Sequence, residues 1–145
     1  MGVLTDFVVA DLSDAKRVCD SSCPSKEFAG VDAKGVSTVM LGKLFAILTK
    51  TDFDPSFIGG EELLSEGGDD GPWVFRVPDS LVQQVSTLDE GQRGAVATEW
   101  AKTEEFSPKY GNWPADAVSA VLEEFAKLCR QAVNEGKSVM MWLCL

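Results

Sequence analysis

The sequence predicts an α+β domain: a small, mostly three-stranded or slightly larger sheet covered by four to five helices. Three observations carry this. Short apolar runs lie near residues 7, 75 and 142, the last being the nearly unbroken Val139-Met140-Met141-Trp142-Leu143-Cys144-Leu145. Between them, apolar residues recur at spacings of three and four, the period of a helix buried along one side. Glycine and proline mark the joints. With 145 residues, 45% hydrophobic and 25% charged, the chain has the size and balance of one globular domain, read as residues 1–145.

Residues 7–10 form the first apolar run and predict an opening strand. Ser13 or Asp14 then caps a short helix carrying Ala15, Val18 and Cys19 on one side, and Pro24 ends it. Between Gly35 and Lys50, Val36, Val39, Met40, Leu41, Leu44, Phe45, Ile47 and Leu48 follow a helical period, with Lys43 and Lys50 facing out. Gly42 inside that helix costs about 1 kcal/mol against alanine, which points to close packing there. Residues 51–71 carry five glycines and one proline and predict a flexible acidic loop, with at most one helical turn over 61–65.

Trp73-Val74-Phe75-Arg76-Val77, between Pro72 and Pro78, reads as a strand. Asp79 is expected to cap a helix with Leu81, Val82, Val85 and Leu88 inward. Asp89 and Gln92 have the spacing of a capping box for the next helix, which carries Val96, Ala97, Trp100 and Ala101. Residues 107–113 form a loop, and Pro114 suits a first helical position. The following helix has the clearest stripe (Val118, Val121, Leu122, Phe125, Cys129, Ala132 and Val133), closed by Gly136. The apolar run after it suits a strand covered on both faces.

Composition excludes more chemistry than it indicates. The chain has no histidine, which removes Ser-His-Asp and Cys-His nucleophiles, HExxH zinc sites and imidazole switches. Thirteen Lys and Arg against 23 Asp and Glu give a net charge of −10, which speaks against a nucleic-acid or anionic-membrane partner. No run of 18 apolar residues spans a membrane, and the stretch from Met1 to Ala10 has no basic start and carries Asp6, unlike a secretory leader. A cytoplasmic, reducing setting follows, in which Cys19, Cys23, Cys129 and Cys144 are thiols. No cofactor is expected.

Four motifs bear testing. Gly30-Val31-Asp32-Ala33-Lys34-Gly35-Val36-Ser37 has the glycine spacing of a phosphate loop, but Val36 stands where the lysine belongs, leaving a glycine-marked helix start. Asp52 and Asp54 open like a calcium loop, but Phe57 and Leu63 occupy the turn and bidentate positions; only a looser site with Asp69 and Asp70 remains. Cys23, ahead of Pro24 and Lys26, is the one candidate nucleophile. Trp100, Glu104, Tyr110 and Trp113 make a candidate binding group around a helix end and a Pro/Gly loop. The alternative is that Trp100 and Phe106 fill the core while Tyr110 and Trp113 fasten the loop.

The segment Trp100-Ala101-Lys102-Thr103-Glu104-Glu105-Phe106, the helix after Trp113-Pro114 and the Met141-Trp142-Leu143-Cys144-Leu145 ending resemble small bacterial proteins of unassigned function. The likeness covers the C-terminal third and implies no activity. The expected function is a non-catalytic bacterial binding or regulatory domain, acting on a basic protein partner or small ligand through the acidic or the aromatic loop. The alternatives are an immunity- or antitoxin-like inhibitor of a basic toxin, or a histidine-independent enzyme using Cys23 or carboxylates. A homodimer through the apolar C-terminal strand is a further outcome.

Overall fold

The structure, a computed structural model, describes residues 3–145; Met1 and Gly2, part of the stretch read as lacking a leader, lie outside them. Among the described residues the sheet has five strands, where three or slightly more were expected: β1 (Leu4–Ala10), β2 (Ala29–Asp32), β3 (Leu63–Glu66), β4 (Trp73–Arg76) and β5 (Ser138–Cys144). They lie in the order β2-β1-β5-β4-β3, every neighbouring pair antiparallel. Six α-helices accompany them among the described residues: α1 (Ala15–Asp20), α2 (Pro24–Glu27), α3 (Thr38–Thr49), α4 (Asp79–Ser86), α5 (Glu90–Ala101) and α6 (Ala115–Glu135).

The apolar C-terminal run becomes the central strand. β5 pairs with β1 from Ala10–Ser138 to Leu4–Cys144 and with β4 from Trp73–Leu143 to Arg76–Met140. Its residues 138–142 are all buried, because alternate side chains enter different cores. Phe7, Val9, Val139 and Met141 face a large core built with α3, α4, α5 and α6. Val8, Ala10, Met140, Trp142 and Val74 face a smaller one closed by Ala15, Val18 and Cys19 of α1. Two covered faces explain why β5 reads as a continuous apolar run rather than an alternating one.

The two edge strands are the elements that sequence reasoning missed. β2 arises where a helix start was expected, and Gly30 lies within it. Gly35 then turns the chain at φ +92°, and Ser37 caps α3 by accepting from Met40 N at 3.3 Å. β3 lies within the segment expected to be a flexible loop, after a 3₁₀ turn at Gly60–Glu62. That segment is fastened by buried Ile58 and by Phe57, stacked on Phe45 at 4.3 Å.

Several ends also differ from expectation. Pro24 opens α2 rather than closing α1. Asp6, the acid inside the first apolar run, is buried and accepts from Ser25 N at 2.9 Å in the first turn of α2. Asp79 is the first residue of α4 rather than its cap, and its carboxylate takes Arg76 Nη2 at 2.7 Å. Pro114 stands just outside α6 instead of opening it. The Asp89–Gln92 capping box forms in both directions, at 2.8 and 2.9 Å. Along α6 the predicted stripe is buried except at Val121, which is half-buried, and at its last residue, Val133, which is exposed. Gly136 closes that helix at φ +64°.

Candidate functional site

The aromatic residues divide between core and cleft. Trp100, on the last turn of α5, is fully buried and donates its indole N–H to Met40 O at 2.8 Å. Phe106 meets it edge-on at 5.1 Å, and Trp113 meets Phe106 edge-on at 5.1 Å. This ladder carries the order of the core out to the surface, so Trp100 anchors the site and is not open to a ligand. The loop it supports is tied by Trp113 N to Phe106 O at 3.0 Å and Asn112 N to Ser107 O at 2.8 Å.

Above the ladder lies a cleft of about 430 Å³ walled by Val3, Gly35, Met40, Glu105, Tyr110 and Trp113. Gly35 serves it twice. Its positive φ suits glycine, and a Cβ there would come within 3.1 Å of Trp113 Cζ2. Tyr110 is 59% exposed at the mouth. The binding group read from sequence therefore splits: Tyr110 and Trp113 line the cleft together with Glu105, while Glu104 reaches it through Tyr110.

The two adjacent carboxylates diverge, as neighbours in a helical turn must. Glu105 Oε1 lies 2.7 Å from Lys43 Nζ, an ion pair in which that oxygen makes no aligned hydrogen bond. Glu104 acts on Tyr110. Its charge, then its hydrogen bond, pushes the phenol above its ordinary 10.0. On the same ring the Lys109 ammonium lies 5.4 Å from the centroid.

Lys43 also joins the cleft to the acidic segment. Its ammonium lies 5.6 Å from the Phe53 ring centroid, and Phe53 packs where a Cβ on Gly42 would meet its Cε1 at 2.8 Å. The close approach expected at Gly42 is thus made by the acidic segment itself. From there run Asp52, Asp54, Glu61, Glu62, Glu66, Asp69 and Asp70, ending at edge strand β3 and its turn. Six are exposed and Glu62 is half-buried. Among the described residues none of the seven makes an ion pair.

The metal candidates do not assemble. Among the described residues no three Cys, Asp or Glu side chains are placed to hold a metal ion. Asp54 instead turns back on Ser56, whose hydroxyl donates at 2.7 Å and whose N–H donates at 2.9 Å; both bonds hold its pKa below 3.8. Cys23 is half-buried ahead of α2, with Ser25 Oγ 3.9 Å from its sulfur, and no general base is seen to contact it among the described residues. Cys129 is buried, and desolvation pushes its thiol up to about 12. No helix among the described residues is long and apolar enough to cross a membrane.

Gly35, Lys43 and Phe53 are the site residues that sequence reasoning missed. They come from segments 52 to 78 residues away from Trp113 and Glu105, by sequence number. The one available signal was Gly42, whose cost inside a helix implied a partner. Compared with protein-family models, curated proteins and solved structures, the chain matches none of them.

Proposed function

We propose that the chain is a non-catalytic binding or regulatory domain that recognises a basic protein partner. The observation that carries this reading is the segment of seven acids without an ion pair among the described residues, packed through Phe53 against α3 beside the aromatic cleft. Unneutralised charge of one sign steers an oppositely charged partner and accelerates encounter, while a partly buried aromatic pocket supplies the desolvated contact that retains it. Tyr110 and Trp113 are rigid, amphipathic residues of the kind that dominate such contacts. A toxin-neutralising inhibitor is one specific form of this reading.

The test separates steering from retention. Immobilised protein is used to capture basic proteins from a lysate at low salt, and each captured species is then followed alone by biolayer interferometry. Asp52→Asn, Glu61→Gln, Asp69→Asn and Asp70→Asn together are expected to slow association and flatten its salt dependence. Trp113→Ala is expected to hasten dissociation. A partner that binds both variants with unchanged rates removes this surface from the function.

A further inference from the structure

A second cavity, of about 450 Å³, lies at the other end of β1 from the aromatic cleft. Three neighbouring strands end around it: β1 hands over to Asp11 and Leu12, β4 ends at Arg76, and β5 begins after Lys137. Its volume falls in the range of roughly 300–1,000 Å³ typical of small-molecule sites. The wall carries two cations, Arg76 and Lys137, and two acids, Asp11 and Asp79, so its formal charge is zero. It also carries an apolar side. Leu12 and Val133 are 45% and 41% exposed here, and buried Val82 lies between α4 and the cavity. That is why Val133 leaves the buried stripe of α6.

Two further features give the cavity a direction. Arg76 Nη2 bonds Asp79, but Arg76 Nε is buried without any hydrogen-bond partner, an expensive condition for a charged group. α4 begins at the cavity after Pro78, which offers no side-chain cap, whereas the 21-residue α6 ends there at Gly136. The first end favours an anion and the second a cation.

We propose that this cavity binds a free α-amino acid with an aliphatic side chain. The carboxylate takes Arg76, giving Nε the acceptor it lacks once the guanidinium turns toward the cavity. The ammonium sits between Asp11 and the last carbonyls of α6, and the side chain lies against Leu12, Val82 and Val133. Arg76 is already paired with Asp79 at 2.7 Å and Lys137 with Glu135 at 3.4 Å, so a zwitterion, which adds one charge of each sign, leaves the neutral balance of the wall intact where a simple anion or cation would upset it.

Isothermal titration of the full chain tests this with L-leucine, L-leucinamide, N-acetyl-L-leucine and 4-methylpentanoate, each up to roughly ten millimolar. L-leucine is expected to bind, and the analogues lacking one charge to bind at least about tenfold more weakly. Arg76→Gln and the exposed Asp11→Asn are each expected to weaken L-leucine by a similar factor, with unchanged circular dichroism. Absence of a leucine signal, or equal binding of all four compounds, overturns the proposal. So does unaltered leucine binding by Asp11→Asn, a variant whose fold does not depend on Arg76.

Discussion

Tyr110 is the chain's single tyrosine, so its phenolate absorbance reports one site. Glu104 raises its pKa chiefly by charge, and Glu105 contributes last because its carboxylate faces Lys43. Glu104→Gln is therefore expected to lower the midpoint of a spectrophotometric titration toward 10.0, with Glu105→Gln moving it less. An unchanged midpoint in Glu104→Gln would mean that the two side chains do not meet in solution. Cys129 supplies the complementary case of burial without a partner. Its thiol stays neutral in the fold up to about 12, whereas in the unfolded chain it ionises near 9.0. Its contribution is thus fully present below pH 9.0 and is lost as pH rises toward 12. The slope is at most about 1.4 kcal/mol per pH unit. Urea denaturation of wild type and Cys129→Ala across that range should show the wild type losing stability faster. Parallel curves would refute the assignment.

At the scale of elements, the edge strand β2 depends on the absence of one side chain. A Cβ on Gly30 would meet Phe7 O at 2.5 Å, Val8 Cγ1 at 2.9 Å and Ser25 Cα at 3.1 Å. Two of those atoms are backbone and cannot turn aside, so Gly30→Ala is expected to cost about 1–3 kcal/mol in denaturant unfolding. Gly42→Ala makes a useful contrast. Its Cβ meets the ring edge of Phe53, which can move, and the helix gains about 1 kcal/mol from alanine. A larger loss for Gly42→Ala than for Gly30→Ala would contradict this account. The same two positions mark what a single sequence reveals. α6, β5 and the Asp89–Gln92 box were legible because each is set by local period or local chemistry. β2 and β3 were not, since each is four residues long and takes its definition from pairing with another strand, β1 and β4 respectively. The cleft follows the same rule: Tyr110 and Trp113 announced themselves by proximity, while Gly35 and Lys43 join them only through the tertiary fold.

For the whole molecule the deciding quantity is where the charge resides. Between Lys50 and Arg76 lie seven acids and no base, so seven of the ten net negative charges belong to one segment. Elsewhere sixteen acids stand against thirteen bases, and among the described residues some are paired directly: Glu123 accepts Arg93 Nε at 2.9 and 3.0 Å across α5 and α6, and Glu105 holds Lys43. Unmatched like charges along an edge repel one another in the compact state more than in the expanded chain, and salt screens that repulsion. The wild-type melting temperature is therefore expected to rise as sodium chloride is raised from about 0.02 to 0.3 M, where the screening length falls from roughly 20 to about 6 Å. In the variant combining Asp52→Asn, Glu61→Gln, Asp69→Asn and Asp70→Asn the rise should be smaller by roughly 2–4 °C for a domain near this size. Any general effect of salt on burial acts on both proteins alike, so the difference between their slopes isolates the segment. Equal slopes would mean that the acids lie far enough apart to be independent. A surface held at the expense of stability in this way is one that a basic partner stabilises on binding, because its cations replace the screening ions.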